Sequence, residues 1–98
     1  MFKIVYEKQA AKDIQNLKYA KLDKKAKELV EIVRKNPFQN PPPYEALLGN
    51  LSGLYSRIIN IQHRFVYEVK TEKFIENDVE YEGIVKIIRM WTHYDGVK

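Results

Sequence analysis

The chain has 98 residues, a formal net charge of +4 and no cysteine, and 45% of its residues are hydrophobic. This length allows one domain with a single core, over residues 1–98, and the hydrophobic content excludes a disordered chain. The lack of cysteine excludes disulfides and thiolate metal sites. The N-terminal run soon becomes charged, unlike a signal peptide, and no apolar run is long enough to span a membrane. We therefore predict a cytoplasmic protein with no membrane partner.

The N-terminal third of the chain predicts one strand followed by two helices. Phe2 to Tyr6 is a short apolar run of the strand type. Apolar residues then recur at helical spacing in two segments, with a break near Lys18 to Lys21. The first segment carries Ala10, Ala11, Ile14 and Leu17, and the second carries Leu22, Ala26, Leu29, Val30 and Val33. Pro37 ends the second helix, because the residue before a proline avoids the helical conformation.

The rest of the chain predicts a stiff connector and three strands. Asn36 to Pro43 contains all four prolines, which cannot donate hydrogen bonds to a sheet. Tyr44 to Tyr67 contains two strand-like runs, joined by a tight turn near Asn60 to His63. Thr71 to Gly83 is rich in acidic residues and predicts a solvated hairpin. Ile84 to Trp91 is the last predicted strand.

Charged side chains interrupt this pattern around the two middle strands. Arg57 and Arg64 lie within apolar runs, where a guanidinium needs a partner or a bound anion. Glu45 follows the prolines, and His93 and Tyr94 follow the last strand. We interpret these five residues as one site. His63, in the turn, is assigned no chemistry, while Trp91 and Tyr67 are predicted to pack in the core.

The second helix concentrates the basic charge. Between Lys18 and Lys35 there are seven basic and three acidic residues, and this difference of four equals the whole net charge. The commoner interpretation is a solvated lysine face opposite the apolar stripe. The alternative is a surface that binds RNA phosphates, which applies if the site acts on RNA. The two histidines lack metal-binding spacing, which disfavours a metal site.

Short motifs follow one another in a specific order from the end of the second helix onward. They are Asn36-Pro37-Phe38, Glu45-x-Leu47, Asn50-Leu51-Ser52-Gly53, Tyr55-Ser56-Arg57, His63-Arg64-Phe65-Val66-Tyr67 and His93-Tyr94. In order and spacing they resemble the YoeB/Txe family of bacterial toxins, within the RelE-like ribonuclease superfamily. The resemblance implies an α+β fold of order β-α-α-β-β-β, with two helices packed on a mainly antiparallel sheet.

The resemblance also implies a function. The family's members are toxins of type II toxin-antitoxin systems that cleave mRNA in the ribosomal A site through the 2′-hydroxyl, without metal or cofactor, and so inhibit translation. The implied partners are the ribosome, mRNA and a cognate YefM-like antitoxin, and a homodimer stays open. The implied roles are general base for Glu45, general acid for His93, phosphate-stabilising cation for Arg64, and orienting or stacking a base for Tyr94. The chemistry of RNA cleavage adds Arg57 as a second, substrate-binding cation. From the charge of the basic helix we predict Lys21, Lys24, Lys25 and Lys27 as rRNA-binding residues.

The sequence departs from the family at three places. Ile58 stands where many members have a second arginine, the hairpin of Thr71 to Gly83 is longer and more acidic, and Asp95 to Lys98 extends past the final His-Tyr pair. Two alternatives therefore stay open. One is a catalytically inert RelE-like module that binds RNA or protein. The other is a nucleic-acid-binding regulator that uses the basic helix, although no helix-turn-helix spacing is visible.

Each candidate residue also has an ordinary structural interpretation. A glutamate after a proline run is usually a surface residue, as Glu45 would be by itself. Arg57 and Arg64 would pair with Glu68 or with other neighbours across the sheet. His93, at the end of an apolar strand, would lie in or beside the core. We favour the catalytic interpretation because all of these residues match one family together.

Overall fold

A computed structural model of the chain describes residues 1–92. In this range the elements are β1 (Phe2–Tyr6), α1 (Lys8–Tyr19), α2 (Asp23–Lys35), β2 (Glu45–Ala46), a 3₁₀ turn (Gly49–Leu51), β3 (Leu54–Ile58), β4 (Arg64–Lys70), β5 (Phe74–Glu76), β6 (Val79–Tyr81) and β7 (Gly83–Thr92). The predicted first strand, the two helices with a break between them, and the last strand are confirmed. Neither helix of this range is long and apolar enough to cross a membrane.

Five of the strands form one mixed sheet in the order β1-β7-β4-β3-β2. β1 runs parallel to β7, and the other neighbouring pairs are antiparallel. Two parallel strands such as β1 and β7 need a long crossover connection between them. The two helices, which follow β1, form part of this connection. α1 packs mainly on β7, while α2 packs on β1. The structure thus confirms an α+β fold with two helices on a mainly antiparallel sheet.

The core lies between the helices and one face of this sheet. Most of the apolar stripe of each helix is buried there, together with alternate residues of β4 and β7, which confirms the helical spacing. Ala11, predicted in the stripe of the first helix, is exposed instead. The buried members include Leu17, Leu29, Val33, Phe65, Tyr67, Val85 and Ile87. Trp91 packs against the same cluster. The predicted core positions of Tyr67 and Trp91 are therefore confirmed.

The acidic segment between β4 and β7 forms a separate two-stranded hairpin, as predicted. Its turn residues Asn77 and Asp78 have positive φ angles of 52° and 65°. These residue types tolerate that conformation better than most others do. Lys3 Nζ forms an ion pair with Glu76, and the N-terminal amine of Met1 lies 3.1 Å from a Glu82 carboxylate oxygen. The hairpin is thus connected to the β1 edge of the sheet.

Candidate active site

A cleft beside β2, β3 and β4 contains two of the predicted catalytic residues. Glu45 on β2 pairs with Ser56 on β3, and Ile58 on β3 pairs with Arg64 on β4. Because side chains alternate along a strand, Ser56 and Ile58 lie on one face of the sheet. The cleft has a volume of about 340 Å³ and is lined by Pro43, Tyr44, Glu45, Ser56, Ile58 and Arg64. The structure therefore brings a carboxylate and a guanidinium together, while their chemical roles stay predictions.

The turn before β4 holds the Arg64 side chain. Arg64 Nη1 donates to the Asn60 carbonyl oxygen at 2.9 Å, with longer contacts of 3.4 Å to the carbonyls of Ile61 and His63. Asn60 Oδ1 fixes this turn by accepting the backbone N–H of Gln62 at 2.9 Å and that of His63 at 2.7 Å. Within residues 1–92, the hydrogen bonds of the Arg64 guanidinium involve Nη1 alone. The half-buried Arg64 is thus held from one side, with Nε and Nη2 as donors for a bound anion.

The end of β7 lies beside Arg64. Thr92 is the register partner of Arg64, and His93 is the next residue in the sequence. His93 and Tyr94 themselves lie outside the described residues, as does the tail Asp95 to Lys98, so the roles predicted for them stay predictions. His63 stacks on Trp91 with ring centroids 3.8 Å apart. This packing gives the turn histidine a structural contact with β7.

Arg57 is placed differently from the prediction. It is only 1% exposed, and all three nitrogen atoms of its guanidinium donate hydrogen bonds to oxygen atoms of this chain. Nε donates to the Tyr67 hydroxyl at 3.1 Å, Nη1 to the Pro42 carbonyl at 2.6 Å, and Nη2 to the carbonyls of Pro37 at 3.0 Å and Gln39 at 2.9 Å. This geometry does not fit the predicted substrate-binding role. Arg57 instead holds the proline-rich connector against the sheet.

The connector reaches Glu45 through a cluster of aromatic rings. The Arg57 guanidinium lies 5.0 Å from the centroid of the Tyr44 ring, which also contacts Phe38 and Tyr55. The Tyr67 hydroxyl donates to the Pro37 carbonyl at 2.7 Å. Burial raises the pKa of Tyr67 to about 12, although the charge of Arg57 opposes this shift. Tyr44 directly precedes Glu45, so this packing fixes the chain at the point where it enters the cleft.

Sequence reasoning missed this arrangement, although it contains a usable signal. Arg57 lies in an apolar strand, and a buried guanidinium must find several acceptors. The segment Asn36 to Pro43 is rich in prolines, which offer carbonyl oxygens but no N–H groups. An arginine without a nearby acid and a proline-rich segment without a sheet partner can therefore satisfy each other. Among residues 1–92, neither Arg57 nor Arg64 forms an ion pair, so the alternative pairing with Glu68 is not observed.

The predicted rRNA-binding lysines lie far from the cleft in the fold. Lys21 lies in the turn between the helices with a φ of 59°, while Lys24, Lys25 and Lys27 are exposed on α2. Because α2 packs on β1, this basic surface lies near the edge of the sheet opposite β2. Within residues 1–92, no group of three histidine, aspartate or glutamate side chains is arranged to hold a metal ion.

The family model described as the YoeB-like toxin of bacterial type II toxin-antitoxin systems matches residues 6–94. The chain belongs to this family. The YoeB toxin of Escherichia coli K12 is 40% identical over 52 residues, which are 53% of this chain and 62% of that toxin. The chain thus matches less than two thirds of the length of this YoeB relative.

Solved YoeB structures extend the likeness over nearly the whole chain. The YoeB/ParE toxin of Agrobacterium tumefaciens has a TM-score of 0.78 at 25% identity, covering 95% of this chain and 100% of that one. The YoeB dimer of Staphylococcus aureus has a TM-score of 0.72 at 30% identity, covering 95% and 98%. In its complex with YefM the corresponding values are 0.69, 29%, 96% and 99%. These comparisons confirm the predicted family and fold.

Proposed function

We propose that this member of the YoeB-like toxins is a metal-independent endoribonuclease that cleaves mRNA in the ribosomal A site and so inhibits translation. The observation that supports this proposal best is the shared cleft of Glu45 and Arg64, in a chain of this family. RNA cleavage through its own 2′-hydroxyl needs a base, an acid and a cation beside the phosphorane. The cleft supplies two of these three groups.

In the proposed reaction, Glu45 takes the proton of the 2′-hydroxyl, whose oxygen attacks the adjacent phosphorus atom. Glu45 is exposed in the cleft and is therefore accessible to this proton. The Arg64 guanidinium stabilises the charge that develops on the phosphorane oxygens. The bond between phosphorus and the 5′-oxygen then breaks, and His93 gives that oxygen a proton. The products are a 2′,3′-cyclic phosphate and a 5′-hydroxyl, and Tyr94 stacks on or orients a base.

The proposed partners follow from the surface and from the relatives. Ribosomes and mRNA place the action of the protein in the cytoplasm. We assign Lys21, Lys24, Lys25 and Lys27 to contacts with rRNA phosphates, since they are exposed and lie away from the cleft. Their replacement by glutamine should flatten the salt dependence of ribosome binding by ~0.7–0.9 in log–log slope for each lost contact. An unchanged slope would favour a merely solvated face.

A YefM-like antitoxin and a second copy of the chain are the proposed protein partners. The S. aureus YoeB has been solved both with YefM and as a dimer. These two structures match 96% and 95% of the present chain. Co-expression with the neighbouring gene should yield a complex that does not cleave mRNA. Recovery of active toxin with no bound partner would contradict this assignment.

The central experiment compares Glu45→Gln with wild type in mRNA cleavage on purified ribosomes. We expect a loss on the order of 10²–10⁴-fold in single-turnover rate, the usual contribution of a general base. Glu80→Gln is the matched control, because it removes one exposed carboxylate from the acidic hairpin. Near wild-type cleavage by Glu45→Gln would exclude it as the base. Normal growth after induction of soluble wild-type protein would favour the inert module.

A further inference from the structure

A buried carboxylate on α1 takes no part in the proposed chemistry. Asp13 is 0% exposed and accepts hydrogen bonds on both of its oxygens. Gln9 Nε2 donates to Oδ1 at 3.2 Å, while Arg89 Nε and the backbone N–H of Met90 both donate to Oδ2 at 2.9 Å. A buried charge is costly unless it is paired and hydrogen-bonded, and these three donors satisfy both conditions. Asp13 therefore connects α1 specifically to the residues before the end of β7.

The contact coincides with an irregularity in the sheet. From Ile84 to Ile87, β7 pairs with β4 in one register, which then shifts twice toward the end of β7. The successive partners are Tyr67↔Ile87, Val66↔Arg89 and Arg64↔Thr92. Each shift places one extra residue in β7, which is the geometry of a β-bulge. Met90, whose N–H donates to Asp13, lies in the second of these shifts.

The bulged register decides which residue of β7 arrives opposite Arg64. In a regular continuation of the Tyr67↔Ile87 register, Arg64 would face Met90 rather than Thr92. Bulges commonly redirect side chains beside active sites. Asp13 stabilises the bulged form, because it accepts the N–H of Met90, which has no register partner on β4 in this arrangement. It also neutralises the neighbouring Arg89 at the same point.

We propose that Asp13 is a positioning residue for the proposed ribonuclease, holding the bulged register that brings the end of β7 to Arg64. This inference rests on the proposed function, since the residue after Thr92 is the predicted general acid. Asp13 acts through the strand and contacts neither substrate nor reacting atoms. Its effect should therefore appear in the alignment of the site rather than in the binding of ribosomes.

The test uses Asp13→Ala and Asp13→Asn in the full chain. Asp13→Ala should lower kcat for cleavage of ribosome-bound mRNA on the order of 10²-fold, the effect of a misplaced catalytic group. The ribosome concentration for half-maximal rate should stay unchanged. Asp13→Asn keeps an oxygen that can accept the Met90 N–H, so it should retain an intermediate kcat. This graded rescue would distinguish positioning through the backbone from the charge of Asp13 alone.

A core variant of similar thermal stability controls for general destabilisation. Leu29→Ala and Val33→Ala remove buried side chains of α2 and leave the Asp13 contacts in place. The variant that best matches Asp13→Ala in thermal midpoint should keep the wild-type kcat well below that midpoint. An equal loss of kcat in this control would overturn the proposal. If Asp13→Ala fails to fold, Asp13→Asn replaces it. A wild-type kcat for Asp13→Asn together with wild-type amide exchange at Met90 would then overturn the proposal.

A second readout needs no catalysis. Amide hydrogen exchange at Met90 should accelerate in Asp13→Ala, and the cross-strand nuclear Overhauser contacts between Arg64 and Thr92 should be lost or moved. If the wild-type chain cleaves no mRNA, the proposed function fails, and this measurement alone still shows whether Asp13 sets the register. Unchanged exchange and unchanged cross-strand contacts would overturn the positioning role, whatever the activity.

Discussion

Arg57 and Arg64 lie seven residues apart on neighbouring strands and have opposite environments. Arg57 is enclosed and donates to three connector carbonyls and a tyrosine hydroxyl. Arg64 is half-buried in the wall of the cleft and is held through one nitrogen atom. Arg57 thus stabilises the proline-rich connector, whereas Arg64 presents its charge to the solvent in the cleft.

The alternation of the sheet explains the difference. Arg57 pairs with Phe65, a core residue, whereas Arg64 pairs with Ile58, which is 56% exposed and lines the cleft. Directly paired residues share a face, and successive residues of a strand point to opposite faces. Because Arg64 directly precedes Phe65, the partner of Arg57, the two arginines lie on opposite faces of the sheet. A guanidinium on the core face must find acceptors within the protein. One on the cleft face is accessible to a ligand.

Arg64→Ala should show the largest effect on catalysis. We expect a loss of about 3 kcal/mol or more in transition-state stabilisation, because the developing phosphorane charge would lose its guanidinium donors. Thermal stability should change little, since the side-chain hydrogen bonds of Arg64 within residues 1–92 go to carbonyl oxygens of its own turn. The measurement is single-turnover mRNA cleavage on ribosomes beside a thermal melt. Arg64→Lys, which keeps the charge without the planar fork, should recover part of the rate.

A large fall in the melting temperature of Arg64→Ala would contradict the different roles of the two arginines. It would mean that Arg64, like Arg57, is mainly structural. Loss of cleavage could then not be assigned to missing contacts with the phosphate.

Arg57→Ala should show the largest effect on stability. We expect a cost of about 3 kcal/mol or more in unfolding free energy, because several buried acceptors lose a charged donor at once. Activity should also fall well below the melting temperature, since the segment before Glu45 would lose its anchor. Denaturant unfolding and cleavage assays check the two effects. Wild-type stability combined with lost cleavage would restore the substrate-binding role that the sequence predicted for Arg57.

The fold was predictable because its main elements are strongly periodic. The helical stripes around Leu17 and Leu29 and the apolar run of Ile84 to Trp91 needed no tertiary information. The motifs that matched one family also placed Glu45 and Arg64 in one site. The cleft that these two residues share depends on β2, which holds Glu45 beside β3. β2 could not be predicted from the sequence, because a strand of two residues has no periodic pattern.

The buried polar contacts were less predictable. The carbonyl oxygens that accept from Arg57 lie 15 to 20 residues before it, in a segment with no regular structure. Asp13 and Met90 are separated by 77 residues and meet where the register of β7 shifts against β4. Neither hydrogen bond leaves a local trace in the sequence. Strand alternation, with the turn near Asn60 to His63, could have shown that Arg57 and Arg64 lie on opposite faces, but the sequence analysis assigned both to one site.

Ile58→Arg would add a second cation beside Arg64 on the cleft face. Ile58 is exposed and lines the cleft with Arg64, so a longer polar side chain there has access to solvent. A charged hydrogen bond to a substrate phosphate contributes about 1.5–3 kcal/mol. We therefore expect tighter substrate binding or a faster single-turnover rate. Ile58→Gln controls for the lost apolar side chain, and equal kinetics for the two variants would show that the phosphate is not bound near Ile58.

Tyr67→Phe should have the smallest effect and tests the connector through pH. The variant loses the hydroxyl that links Arg57 Nε to the Pro37 carbonyl, at a cost of about 1 kcal/mol near neutral pH. The pKa of Tyr67 is raised to about 12 in the folded protein, so above pH 10 the unfolded chain releases this proton while the folded chain keeps it. The stability that Tyr67 contributes is therefore complete below pH 10 and is lost as the pH rises toward 12.

Subtracting the Tyr67→Phe profile from that of wild type isolates this contribution, because all other titrating groups are shared. The difference in unfolding free energy should be constant up to about pH 10 and should then shrink, as wild type alone loses stability to Tyr67 ionisation. Denaturant unfolding at several pH values measures it. A difference that stays constant from pH 9 to pH 12 would mean that Tyr67 ionises as easily when folded as when unfolded. The buried contact between Arg57, Tyr67 and the connector would then be open to water, and the two arginines would differ less than their positions indicate.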